Sequence, residues 1–138
     1  MKYLLRNIML LSLPFIVITN VYAKNVYSNR NANSGKVSSI AMLQSWHDHD
    51  CSRKMSSIDV ISKPKFGIIT VKILKNTKIG RNRATSANNC AGKLIDALGI
   101  YYKSKKNFRG LDKFKIQSTP PKNSTDPIII YNYKVKVR

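Results

Sequence analysis

The chain has 138 residues, with 25 Lys or Arg against 6 Asp or Glu and a formal charge of +19. That length fits one domain and excludes a TIM barrel or a full dinucleotide-binding enzyme. With 43% hydrophobic residues the chain can bury a core, so its charge does not imply wholesale disorder.

Lys2 and Arg6 precede an apolar stretch from Ile8 to Ile18, and Val21-Tyr22-Ala23 follows. This is the pattern of a secretory signal peptide over 1–23, cleaved after Ala23. The apolar run is shorter than the roughly 20 residues a spanning helix needs. Removing 23 of the 138 residues leaves 115, and losing Lys2 and Arg6 takes the charge from +19 to +17. The expected location is periplasmic or secreted. Cys51 and Cys90, an even pair in an exported chain, are expected to form a disulfide. The loop of about 40 residues that it closes is worth roughly 4 kcal/mol on a chain-entropy estimate.

Residues 24–50 read as a flexible leader. The stretch KNVYSNRNANSG is polar, Asn-rich and without periodicity, and Ile40, Met42, Leu43 and Trp46 allow a short helix after it. From Cys51 the pattern becomes β. Ile58 and Val60 flank Asp59, and Lys63-Pro64-Lys65-Phe66-Gly67 is a turn. Ile69, Val71 and Ile73 alternate with Thr70 and Lys72 as a half-buried strand. Asn76 to Asn89 reads as a long loop or weak hairpin, carrying Gly80, Arg81 and Arg83. A turn is expected near Asp96 to Gly99, then a short strand at Ile100-Tyr101-Tyr102 and another through Phe114 and Ile116. Ser118 to Pro127 is proline-rich and cannot continue a ladder. In the last segment Ile129, Tyr131, Tyr133, Val135 and Val137 share one face, with Asn132, Lys134, Lys136 and Arg138 on the other. Closely spaced strands without helical patterns between them predict an all-β fold, a small sandwich over 51–138.

Phe108-Arg109-Gly110-Leu111-Asp112-Lys113-Phe114 carries the spacing Phe-x-Gly-x-Asp-x-Phe. It resembles the corner of bacterial Ig-like, cadherin-like repeats, in which a Pro-x-x-Gly turn opens an earlier strand. Pro64-Lys65-Phe66-Gly67 matches that turn, and Tyr101 or Tyr102 matches a tyrosine before the corner. Ser104 stands where that family has proline, and Ile116 where it has a further tyrosine. The resemblance implies an Ig-like β-sandwich and structural roles for Phe108, Gly110, Asp112 and Phe114. On physical grounds Gly110 supplies positive φ, Asp112 caps backbone amides and the two Phe rings anchor the corner.

Trp46-His47-Asp48-His49-Asp50-Cys51 gathers the ligand-type side chains, but His47 and His49 alone leave a metal under-coordinated. No Gly-x-Ser-x-Gly elbow is present. The acids are all aspartates: Asp48, Asp50, Asp59, Asp96, Asp112 and Asp126. No catalytic residue and no cofactor is expected, and the protein is not expected to be an enzyme. The charge is the functional hint. Lys72, Lys113, Lys115, Lys134, Lys136 and Arg138 fall at outward strand positions and would form one basic face if their strands share a sheet. The expected function is that of an exported, non-enzymatic binding or structural module of the bacterial envelope. Its expected partner is an anionic lipid, lipopolysaccharide or acidic-polysaccharide surface. Nucleic acid is disfavoured, because aromatic side chains do not interleave with the cations on that polar face. A second reading makes it a subunit of a secretion or surface assembly, its last strand added to a partner's sheet. A third is a small metal-binding protein or metal-dependent enzyme using His47 and His49. A compositional reading competes with all of these, since 18 Lys, 13 Asn and 16 Ile suit AT-rich coding.

Overall fold

The last strand carries the strictest alternation in the chain, and the fold is organised around it. In the computed structural model, which describes residues 22–54, 56–81 and 89–138, seven strands follow one another. They are β1 (Ala23–Ala32), β2 (Val37–Leu43), β3 (Ser57–Ser62), β4 (Gly67–Lys78), β5 (Leu94–Ser104), β6 (Gly110–Thr119) and β7 (Ile128–Val137). No helix occurs among the described residues. Along β7, Tyr133, Val135 and Val137 are buried while Lys134 and Lys136 are exposed. The antiparallel register with β6 places Phe114 opposite Tyr133 and Ile116 opposite Tyr131. On the other side β1 runs parallel to β7.

Two sheets result, with orders β1-β7-β6-β3 and β2-β5-β4. Grouping the third, sixth and seventh strands against the second, fourth and fifth is the immunoglobulin-like sandwich arrangement, with the first strand placed beside the last. The core between the sheets holds Tyr102, Phe114, Ile100, Ile116 and Val135. Stacked rings add to it: Phe114 and Tyr133 lie 4.9 Å apart, and Tyr102 and Phe114 6.3 Å apart. A second, smaller cluster of Ile79, Cys90 and Ile95, with Trp46 and Cys51 against it, sits where the β2–β3 and β4–β5 connections meet. The Cys51–Cys90 disulfide joins those two connections.

Several expectations need correction. Residues 24–50 are not a leader with a short helix, because they contain most of β1 and all of β2, and the sandwich extends to Ala23. Backbone pairing with an otherwise open edge of β7 makes β1 a strand, and that does not require an apolar side-chain pattern. In β2 a bulge between Ser39 and Ala41 resets the alternation. Ile40, Ala41 and Leu43 therefore all face the core, which imitates helical spacing in the sequence. The turn expected near Asp96 to Gly99 lies inside β5. Gly99 serves close packing there, since a Cβ would meet Leu74 and the Tyr101 ring at about 3 Å. The segment from Asn76 begins as β4, which runs to Lys78. Residues 82–88, including Arg83, and the expected signal peptide up to residue 21 lie outside the described residues.

Candidate anionic-surface site

One carboxylate organises one end of the sandwich. Asp112, the third residue of β6, is 3% exposed. Its Oδ1 accepts from the Lys65 amide at 3.0 Å and the Lys113 amide at 2.9 Å. Its Oδ2 accepts from the Phe66 amide at 2.9 Å and the Tyr102 hydroxyl at 2.9 Å. The Pro64–Gly67 turn and the Phe108–Phe114 corner, far apart in sequence, are thus fastened through one side chain. Gly67 permits this, because a Cβ there would run into the Tyr102 ring. Burial, and then the neighbouring Asp112 carboxylate, push the Tyr102 hydroxyl well above the usual phenol range. Gly110 has φ of +133°, and the Phe108 ring stacks on Phe66 at 4.3 Å.

The connections β1–β2, β3–β4 and β5–β6 gather at this end, with Arg138 beside them. The Ser34 amide donates to the Arg138 carbonyl at 2.9 Å. The Gly35 amide donates to Ser104 Oγ at 2.8 Å, and the Lys105 amide to the Phe66 carbonyl at 2.7 Å. The three connections and Arg138 contribute Lys36, Lys63, Lys65, Lys105, Lys106, Arg109 and Arg138, with Asp112 as the acid in their midst. Four of the other aspartates belong to the opposite end. There Asp126 takes Lys54 at 2.9 Å, and Asp96 takes Lys75 at 2.6 Å and Arg53 at 3.9 Å. Those lysine contacts hold the Asp126 and Asp96 carboxyls below their ordinary range. Asp50 is lowered by the Ser52 amide that it accepts at 2.9 Å. The acids are therefore concentrated at the opposite end, among cations of their own, while this end carries its cations around a single carboxylate.

The expected basic face divides between the two sheets. Lys113 and Lys134 are direct cross-strand partners on the outer face of the four-stranded sheet. Lys115 lies opposite Asn132 and Lys136 opposite Leu111 on the same face, with Arg138 just beyond the strand end. Lys72 does not join them. It projects from β4 in the three-stranded sheet, with Nζ 5.7 Å from the Tyr101 ring. Outward parity placed Lys72 correctly on a strand, but parity does not say which sheet a strand enters. A group that the outward-strand criterion passed over lies around Lys36, Lys103, Lys105 and Lys106, which line one groove of about 570 Å³. The run Lys103-Ser104-Lys105-Lys106 was its signal in the sequence.

The histidine segment forms a tight polar turn. The Cys51 amide donates to the His47 carbonyl and the His47 amide to the Ser52 carbonyl, both at 2.8 Å. The imidazole centroids are 5.6 Å apart, and His49 Nε2 lies 3.4 Å from Asp50 Oδ2. Among the described residues no three His, Cys, Asp or Glu side chains converge as a metal site, and Cys51 is committed to the disulfide. β7 has both edges occupied, by β1 and β6, so strand addition through the last strand has no free edge to use.

No family model matches the chain, and no curated protein matches it. A solved structure, the solution structure of amebosin, is similar over 85% of this chain and 99% of that one, at 13% identity and a TM-score of 0.47. No helix among the described residues is long and apolar enough to cross a membrane.

Proposed function

We propose that this protein is an exported, non-enzymatic module that binds anionic surfaces of the bacterial envelope or a host through clustered cations. One observation carries the reading. Lys113 and Lys134 face each other directly across β6 and β7, flanked by Lys115 and Lys136; the outward positions of β1, β6 and β7 hold no acid, and Asp59 on β3, opposite Gln117, is the acid of that face. Like charges directly opposed in a sheet destabilise it, so the arrangement costs the fold stability and suits an external counter-charge. The Cys51–Cys90 disulfide suits the oxidising compartment that export provides.

The test is the triple change Lys113→Gln, Lys134→Gln and Lys136→Gln. These side chains are exposed, so thermal stability should hold or rise slightly as the repulsion is relieved. Each cation near an anionic surface is worth about 1 kcal/mol, so binding to immobilised heparin or anionic vesicles at physiological salt should weaken at least tenfold. An equal loss after neutralising Lys24, Lys93 and Lys122 would mean that the charge acts only in bulk. Absence of binding by the unaltered protein would leave composition as the sufficient explanation of its lysines.

A further inference from the structure

The cation-rich end also bears exposed aliphatic side chains. Val37 opens β2 and is 63% exposed, Ile68 is the second residue of β4 and is 63% exposed, and Leu111 is the second residue of β6 and is 61% exposed. All three strands begin at this end. Register places Val37 and Ile68 on either side of Lys103 in one cross-strand row, and Leu111 beside Lys136 on the other sheet. Lys36, Lys103, Lys105 and Lys106 take part in no ion pair among the described residues. A polyanion in water would use the lysines and leave the aliphatic groups without a role.

We propose that this end docks on a bilayer containing anionic phospholipid. Val37, Ile68 and Leu111 enter the interface between headgroups and chains, and Lys36, Lys103, Lys105 and Lys106 contact the phosphates around them. Interfacial binding of this kind draws on buried apolar area and on attraction to anionic lipid together. The end is prepared for it, because Asp112 ties its turns to the core before any surface is met. The acids of the opposite end are held away from the membrane by the length of the strands, which orients approach. The proposal rests on the anionic-surface reading above, extends it from the Lys113–Lys134 face to this end, and narrows the partner to lipid.

The experiment compares the unaltered protein with the double variant Val37→Thr and Ile68→Thr. Threonine keeps the β-branch that suits a strand and removes apolar area. Far-ultraviolet circular dichroism and the melting temperature establish that both proteins fold alike. Co-sedimentation uses vesicles of phosphatidylcholine alone and of phosphatidylcholine with phosphatidylglycerol, and heparin serves as the soluble polyanion. The expected result is binding to the mixed vesicles and not to pure phosphatidylcholine. The Thr variant should bind those mixed vesicles roughly tenfold or more weakly, while its heparin affinity stays within about twofold. A Thr variant that binds mixed vesicles as well as the unaltered protein does, or an unaltered protein that binds heparin but no vesicle, overturns the lipid inference and leaves the electrostatic reading standing. Binding to neither heparin nor mixed vesicles overturns both. If the double variant melts early, Lys103→Gln with Lys106→Gln supplies the second measurement. A loss on mixed vesicles of roughly 25-fold supports the lysine half of the contact, and no loss refutes it.

Discussion

Replacing Asp112 by Ala removes the acceptor of four hydrogen bonds at once. The costs differ by site. The Tyr102 hydroxyl belongs to a residue with 0% exposure, so water cannot replace its partner, and an orphaned buried donor costs about 1–3 kcal/mol. The Lys65 and Phe66 amides sit in a partly buried turn, where water can partly compensate, so each is worth about 0.5–1.5 kcal/mol. The Lys113 amide adds least, since it lies in an exposed residue next to Asp112 in sequence. Together the loss is about 3–5 kcal/mol, and for a domain of this size the melting temperature should fall by roughly 10–20 °C. Urea unfolding followed by circular dichroism measures it. The sharper test is the sign of a second change. In the unaltered protein Tyr102→Phe should cost about 1–2 kcal/mol, because it breaks a charge-assisted bond while Asp112 keeps its amides. In the Asp112→Ala background the same change deletes an already orphaned hydroxyl, so it should cost nothing or stabilise. Equal costs in the two backgrounds would show that the Tyr102–Asp112 contact carries no coupling, and the account of this end as fastened by one carboxylate would fail.

The disulfide and the buried tyrosines give two further expectations. Reduction of Cys51–Cys90 should lower stability by about 4 kcal/mol, or 2–5 over the usual range, as read from urea midpoints. Trp46 packs on the small cluster around Cys90, so its fluorescence should change on reduction; an unchanged spectrum and midpoint would remove the disulfide's role there. Tyr133 is pushed up to about 12, first by burial and then by Tyr131, with Arg30 opposing. Its folded state holds the proton more tightly than an unfolded chain does, so that stability is full below about pH 10 and is lost as pH rises towards 12, about 2–3 kcal/mol in all. Absorbance at about 295 nm should show Tyr102 and Tyr133 ionising only as the protein unfolds. Ionisation of Tyr102 or Tyr133 in folded protein near pH 10 would contradict this.

The features legible in the chain alone are local ones. From Tyr133 to Val137 the alternation matches the burial of β7, because a period of two survives wherever one side of a strand meets a core, while Ile128 to Asn132 are all half-buried. The Pro64–Gly67 turn and the paired cysteines were equally legible, since proline, glycine and an even cysteine count act through their own chemistry. The remainder came from long-range pairing. β1 has no apolar stripe to read, and is a strand because β7 offers its backbone a parallel partner. The bulge at Ile40 disguised β2 as a helix by shifting its parity, and Gly99 imitated a turn while serving packing. Lys72 left the basic face because its strand entered the other sheet. The four lysines of the groove, the aliphatic groups beside them and the gathering of four aspartates at the opposite end depend on which connections share an end of the sandwich. That placement is set by the strand order of two sheets, a long-range property that hydrophobic alternation along one strand does not encode.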